Sequence, residues 1–185
     1  MSATGGNALT VWQSLPTWAK GTIAIVGTAG AVFIAYKGYR AYEKWQLDKD
    51  AKAVTNDAKN TFKDLERKGK KLSFPLSNYS STSNTIATLL SGCETISSEL
   101  QVVEAIMRLV KNPIDWFYLV SEFGTKEIDD CVYGKTNYDL ITLLSDQLDT
   151  SIPVVNARKY DGIIYVGVDT IVPLRVHLKK MGITI

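Results

Sequence analysis

The run from Gly21 to Tyr36 constrains the chain most, because its sixteen residues carry no charge and Lys20 and Lys37 close it on either side. As a helix rising about 1.5 Å per residue, it would cover about 24 Å, a little less than the hydrocarbon core of a bilayer, which is about 30 Å thick. Backbone amides in that core have to bond to one another, and a helix satisfies them within one segment. The run therefore predicts a single transmembrane helix over residues 20–37.

The residues at both ends of this run are of the types found at membrane interfaces. Tryptophan and tyrosine rings favour the level of the lipid head groups, and a lysine side chain can extend its ammonium group to water. A secretory signal peptide fits poorly, because residues 1–19 contain no basic residue. A buried core helix is the other alternative, and the interfacial rings argue against it. The residues predicted to anchor the helix are Trp18, Lys20, Ile23, Ile25, Val26, Val32, Phe33, Ile34, Tyr36 and Lys37.

Small residues recur at every fourth position of the predicted transmembrane helix, at Gly27, Ala31 and Ala35. Residues four apart share a helix face, and small side chains let a second helix approach closely. We therefore expect helix association through this face, which would make the chain a homo-oligomer.

Charge is distributed in blocks along the chain. Residues 37–71 contain eleven Lys and Arg against six Asp and Glu, whereas residues 72–185 contain nine against thirteen. Because basic residues favour the cytoplasmic side, the C-terminal part is expected on that side of the membrane. Lys37, Arg40 and Lys44 are predicted to contact lipid head groups, since a basic residue near an anionic surface contributes about 1 kcal/mol.

The order of these segments predicts a mainly α protein in five parts. Residues 38–71 contain no proline and have apolar residues at helical spacing, which indicates a helical stalk continuing from the membrane. Nucleic acid is not expected as a partner, because acidic residues alternate with the basic ones there. The parts are an N-terminal segment (1–19), the transmembrane helix (20–37), the basic stalk (38–71), a Ser-rich linker (72–84) and a helical domain (85–185).

The ends of several helices in the C-terminal domain can be predicted from capping residues. Thr95 is placed to cap a helix over 96–110, and Asn112 followed by Pro113 begins another that Gly124 ends. A short helix is expected at 85–90, one at 140–148 capped through Thr136 and Asp139, and one at 170–181 that Pro173 makes doubtful. The stretch 162–168 fits either a strand or a turn.

Three motifs of this domain resemble a known family. They are GCET at 92–95, NPIDWFYLVSEFGT at 112–125 and YDLITLLSDQLDTS at 138–151. Residues 79–160 as a whole resemble the annexin-like single-repeat domains met in bacteriophages of Bacteroidetes and in related bacterial genomes. The most specific positions of the resemblance are Asp115, Trp116, Leu119, Phe123 and Gly124, followed by Asp139, Leu140, Leu144 and Leu148.

The resemblance implies a small helical bundle on a membrane-anchored virion protein, but not a calcium site. Annexins bind calcium through a Gly-x-Gly-Thr turn and a later carboxylate, and here Glu94 replaces the second glycine. Ile96 and Ser97 stand where an acidic pair usually follows, so no metal or other cofactor is expected.

The sequence shows no arrangement typical of an active site, so no catalytic residue is predicted. Cys93 and Cys131 are interpreted as reduced core residues, and His177 as a packed histidine rather than a ligand or base. Glu127, Asp129 and Asp130 are expected in a solvated loop.

The expected function is therefore that of a non-enzymatic scaffolding protein anchored in a membrane. In a phage, it would link the virion membrane to capsid or other virion proteins. The alternative is a cell-envelope or lysis-associated tether that is not packaged in virions.

Overall fold

Six α-helices, one 3₁₀ helix and two β-hairpins form the part of the chain described by the structure, a computed structural model that covers residues 49–92, 95–130 and 134–185. All of these residues belong to one compact unit, Lys44–Ile185. In chain order the elements are α1 (described over 49–67), α2 (Leu76–Leu89), α3 (Ile96–Leu109), α4 (Pro113–Phe123), β1 (Lys126–Asp130), β2 (Gly134–Tyr138), α5 (Leu140–Gln147), the 3₁₀ helix Val154–Asn156, β3 (Arg158–Tyr160), β4 (Ile163–Tyr165) and α6 (Ile171–Lys180). The predicted mainly α class is confirmed.

The core lies between the helices, because each of them turns an apolar face inward. Helix α2 packs against α3 and α4, α3 against α6, and α4 against α5. The largest fully buried side chains are Trp116, Tyr79, Tyr138, Ile86, Leu90, Ile106, Leu119, Ile128, Leu140, Leu143, Leu144 and Leu148. Burial of such side chains supplies about 1.5–3 kcal/mol each and dominates the stability of a domain of this size.

Two of the predicted helix starts are confirmed in atomic detail. The Thr95 hydroxyl accepts from the Ser98 N–H at 3.3 Å, and Ser98 Oγ accepts from the Thr95 N–H at 2.9 Å, which is a capping box. Asn112 Oδ1 accepts from the N–H groups of Ile114 and Asp115 at 3.0 and 3.2 Å, directly before α4. Side-chain caps can be predicted from sequence because the interaction is local.

The predicted linker over 72–84 is wrong from Leu76 onward, because α2 begins there, nine residues before the predicted start at residue 85. Serine and threonine have modest helix propensity, which made the segment resemble a loop. Tyr79, Ser83 and Ile86 nevertheless recur at helical spacing and are buried. Tertiary packing of this face outweighs the local propensity.

The predicted stalk is helical over its described residues, but it does not stand free of the domain. Ala58 is buried in the main core, and the Thr55 hydroxyl donates to the Gly124 carbonyl at 3.1 Å. The rings of Phe62 and Tyr118 lie 4.9 Å apart. The stalk was predicted as a separate part of the chain, and this is wrong for 49–67, where α1 belongs to the globular unit.

The hairpin β1–β2 was not predicted. Glu127, Asp129 and Asp130 were expected in a loop, but they lie on β1, where Glu127 is opposite Asn137 and Asp129 is opposite Lys135. Only Ile128 of that strand is a buried apolar residue, so the sequence gives almost no apolar alternation. The loop prediction is wrong because pairing with β2, rather than hydrophobic pattern, defines the strand.

The stretch 162–168, which fitted either a strand or a turn, contains strand β4 of the hairpin β3–β4. Its turn is Asp161-Gly162, and both residues have positive φ, 50° and 86°, as a two-residue type I′ turn requires. After β4 the chain continues antiparallel to residues 148–152, with Ile152 N–H bonded to the Val168 carbonyl at 2.8 Å. The stretch is therefore a strand followed by a bend that is hydrogen-bonded to Ile152.

Both helices predicted near the C-terminus form, but only one of the two residues expected to cap α5 does so. Helix α6 forms as predicted, because Pro173 lies in its first turn. Backbone N–H groups in the first turn have no acceptor within the helix, so the N–H that proline lacks costs no helical hydrogen bond. Helix α5 is capped by Asp139 alone, which accepts from the N–H groups of Ile141 and Thr142 at 2.8 and 3.1 Å. Thr136 lies on β2 instead.

We expect Asp139→Ala to lower the free energy of unfolding by about 2 kcal/mol, the upper range for loss of an N-terminal cap, because the Asp139 side chain is fully buried. The measurement is urea unfolding of the full-length chain in non-ionic detergent. Asp139→Ser is the matched control, since serine can still cap the helix. An equal loss in both variants would contradict a capping role.

Candidate functional site

All residues predicted to contact the membrane lie outside the described residues. This applies to the transmembrane helix (20–37) with its anchoring residues, to the helix-association face at Gly27, Ala31 and Ala35, and to the head-group residues Lys37, Arg40 and Lys44. Cys93 and Cys131 also lie outside them. Within the described part, no helix has the length and apolar character needed to cross a bilayer.

Asp115 is a fully buried carboxylate and a natural first candidate for chemistry. It accepts five hydrogen bonds. Ser73 donates its N–H and hydroxyl at 2.8 and 2.7 Å, the Tyr79 hydroxyl donates at 2.5 Å, and the N–H groups of Lys111 and Asn112 donate at 2.9 and 3.1 Å. These five donors occupy the lone pairs of the carboxylate oxygens, so none is free to accept from a substrate. Asp115 therefore has a structural role.

The electrostatics of this cluster agree with that role. Burial raises the pKa of Asp115, but the hydrogen bonds from Tyr79 and Ser73 outweigh it and hold the pKa below its ordinary value of 3.8. Burial, together with the Asp115 charge, raises the pKa of Tyr79 well above its usual range. Asp115 is therefore an ionised acceptor at neutral pH and Tyr79 a neutral donor.

Glu99 on α3 is a second buried acid with the same kind of role. Its carboxylate accepts from the Thr150 hydroxyl at 2.5 Å and from the Thr170 hydroxyl. These bonds join α3 to the paired segments on either side of the β3–β4 hairpin. Over residues 49–92, 95–130 and 134–185, no three His, Cys, Asp or Glu side chains are grouped to hold a metal ion.

The most unusual surface of the domain is apolar and belongs to the β3–β4 hairpin and the turn before it. Six large aliphatic side chains of the described residues are strongly exposed, and five of them lie between residues 154 and 166. We call these five the hairpin surface: Val154 (80% exposed), Val155 (88%), Ile163 (45%), Ile164 (67%) and Val166 (43%). A concentration of exposed aliphatic side chains in one short segment is typical of an interaction site.

The hairpin that carries this surface is held firmly by the rest of the domain. The Asp161 carboxylate at its turn accepts from His177 Nδ1 at 3.2 Å and from Lys180 Nζ at 3.0 Å, both on α6. Hydrogen bonds from Lys180 and His177 also lower the pKa of Asp161. His177 Nε2 lies 2.9 Å from the Val110 carbonyl oxygen, so the ring of His177 is packed between the hairpin turn and the end of α3.

The inner face of the hairpin adds a second set of contacts. Tyr165 is buried, and its ring lies 6.0 Å from that of Tyr160. Burial, followed by the nearby Glu104 charge, raises the pKa of Tyr160 to about 12. Arg158 lies 3.7 Å from Glu104 on α3. The hairpin that carries the hairpin surface is therefore held in place by the buried Tyr165 and by its contact with α3.

Sequence reasoning missed this surface, although a signal for it was present. The segment GIIYVGV at 162–168 contains more aliphatic residues than a three-residue strand can bury. An excess of apolar residues beside a predicted turn could have indicated an exposed patch.

A basic groove is the second notable feature, and it lies where α1 ends and α2 begins. It is open, with a volume of about 520 Å³. Its floor is apolar and its rim carries charges. The lining residues are Phe62, Glu66, Gly69, Lys70, Lys71, Leu72, Leu76, Ile114 and Tyr118.

Comparison with known proteins gives no relative for this arrangement. No protein-family model, no curated protein and no solved structure matches the chain. The resemblance to annexin-like repeats stays a prediction from the motifs.

We expect the stabilisation that Asp115 provides to be complete at neutral pH and lost in acid. Because its folded pKa is depressed, the contribution is full above the unfolded value of about 3.9 and declines as pH falls through the folded value. Asp115→Asn should lower the free energy of unfolding by about 3 kcal/mol at pH 7, since its NH₂ group would face backbone donors.

The measurement is urea unfolding of both full-length proteins between pH 7 and pH 2.5, roughly the range over which a carboxylate with a depressed pKa titrates. The difference between them should be constant down to about pH 4 and shrink below it. Asp57→Asn, at an exposed position of α1, is the control and should show neither effect. A difference that grows towards acid would contradict the assignment.

Proposed function

We propose that the chain is a non-enzymatic adaptor that is anchored in a membrane and binds a structural protein through the hairpin surface. The observation that carries the binding role is the exposure of five aliphatic side chains between residues 154 and 166. Burying one such side chain fully contributes about 1.5–3 kcal/mol, so covering several of them supplies a substantial part of a protein interface.

Charges around the hairpin surface favour a protein over a lipid partner. Lys159, on the strand opposite Ile164, is accompanied by the acidic residues Asp161 and Asp169. A surface that binds anionic lipid is rich in basic residues, whereas an apolar centre with a rim of both signs is typical of protein interfaces. The rigid support of the hairpin limits the conformational entropy lost on binding.

The anchor in this proposal is the predicted transmembrane helix over 20–37, with the C-terminal domain on the cytoplasmic side. The residues that support it are those named above for membrane insertion, helix association and head-group contact. Together with the resemblance to annexin-like repeats of phages, this leads us to propose a minor virion protein whose domain faces the capsid. Its partner would be a capsid or other virion protein.

The anchor is tested by deleting residues 20–37. The full-length chain should stay in the membrane pellet after alkaline carbonate extraction, because a spanning helix has no route to water. The deleted chain should move to the supernatant. A full-length chain released by carbonate would contradict the anchor, whatever the domain binds.

The hairpin surface is tested by placing charges on it in the double variant Val155→Asp with Ile164→Asp. Both side chains are exposed, so the fold should be retained. We expect affinity for the structural partner to fall about 100-fold, because losing about 3 kcal/mol of apolar burial has that effect. The measurement is the amount of chain in purified virions, relative to the major capsid protein, by quantitative mass spectrometry.

Thr85→Asp with Gln101→Asp is the matched control, since both residues are exposed, lie outside the hairpin surface and the basic groove, and change the net charge by the same amount. Retention of the hairpin double variant at the wild-type level would contradict binding through the hairpin surface. Absence of the wild-type chain from virions, with its presence in host membranes, would favour the unpackaged envelope tether instead.

A further inference from the structure

The basic groove has a rim that is fixed at both ends. After α1, Gly69 adopts a positive φ of 77°, and the Lys70 N–H bonds back to the Leu65 carbonyl at 3.0 Å. This left-handed turn, which glycine adopts at little cost, reverses the chain and brings residues 70–72 alongside the helix end. At the other end, Ser73 is bonded twice to the buried Asp115 carboxylate.

The floor of the groove is apolar and partly uncovered. Ile114 is buried beneath it, Phe62, Leu72 and Tyr118 are half-buried, and Leu76 is 59% exposed. The volume of about 520 Å³ falls within the range of about 300–1,000 Å³ that is usual for sites of small ligands. Such a floor can take an aliphatic chain but leaves little room for a partner helix about 10–12 Å across.

The rim is positively charged. Lys70 and Lys71 are exposed, and neither has an ion-pair partner within the described residues, whereas Arg67 nearby is paired with Asp64. Glu66 is the one acidic residue among those that line the groove. Two unpaired ammonium groups above an apolar floor are complementary to an anionic head group that carries an aliphatic chain.

We infer that the basic groove binds one anionic phospholipid of a bilayer. An acyl chain lies on the floor beside Leu76, and the lipid phosphate contacts Lys70 and Lys71. The site needs no calcium ion, because the lysines supply the positive charge. It is distinct from Lys37, Arg40 and Lys44, and it deepens the proposed function, on whose membrane anchor it rests.

The site is tested on the full-length chain in nanodiscs of phosphatidylcholine alone or mixed with phosphatidylglycerol, with calcium removed by chelation. The readout is hydrogen–deuterium exchange of the peptide that covers residues 69–76. We expect exchange to be about tenfold slower in the anionic discs, as for a ligand present at about ten times its Kd. Peptides covering the hairpin surface should exchange alike in both discs.

Two variants separate this site from general attraction to an anionic surface. Lys70→Glu with Lys71→Glu should abolish the protection, and Leu76→Ser should weaken it. The matched control, Arg175→Glu with Lys179→Glu on α6, changes the net charge by the same amount at exposed positions and should keep the protection. Equal loss of protection in both double variants would overturn the proposal.

Other outcomes are equally decisive. Equal exchange in both kinds of disc overturns the site, and so does equal protection by soluble glycerol phosphate in neutral discs, which would indicate a free anion as the ligand. A chain that does not enter discs contradicts the membrane anchor. In that case, the same exchange measurement on the soluble chain mixed with vesicles of the two compositions tests the groove by itself.

Discussion

The carboxylate of Asp115 is the interaction on which the arrangement of α2 and α4 depends. It gathers donors from the connection before α2, from α2 itself and from the start of α4. A buried charge is tolerated only where hydrogen bonds replace its hydration, and here five do so. Because the donors come from separate segments, one ionised group fixes the register of two helices and the path of the chain that enters them. The basic groove takes its shape from the same connection.

A comparable arrangement holds the opposite end of the domain. Glu99 joins α3 to the two paired segments that flank the β3–β4 hairpin, and Asp161 joins the hairpin turn to α6. The hairpin has only three residues in each strand, and a two-stranded ribbon of that length is marginal by itself. Its conformation therefore depends on these side-chain contacts and on the buried Tyr165. The aliphatic residues of the hairpin surface remain exposed, although the hairpin itself is fixed to the domain.

A structural feature could be predicted from the sequence when it depends on residues that are close together in the chain, and it was missed when it depends on distant ones. The caps at Thr95, Asn112 and Asp139 and the helices that follow them were predicted, since a cap involves residues two or three apart. Helix α2 was missed before residue 85, because its Ser-rich sequence has weak propensity and its burial comes from α3 and α4. Strand β1 was missed for a similar reason, as its acidic residues pair with β2 and only Ile128 is buried. The basic groove needs Gly69, Ser73 and Ile114 brought together from distant positions, which no local pattern encodes.

The packing of α1 against the domain has a mechanical consequence. A tension that arrives along the chain from residues before 49 enters a helix whose side chains Thr55, Ala58 and Phe62 are engaged with the domain. Because these contacts share the load, they resist the sliding of α1 along the domain jointly and do not open one after another. The domain therefore follows the motion of α1 as one rigid body.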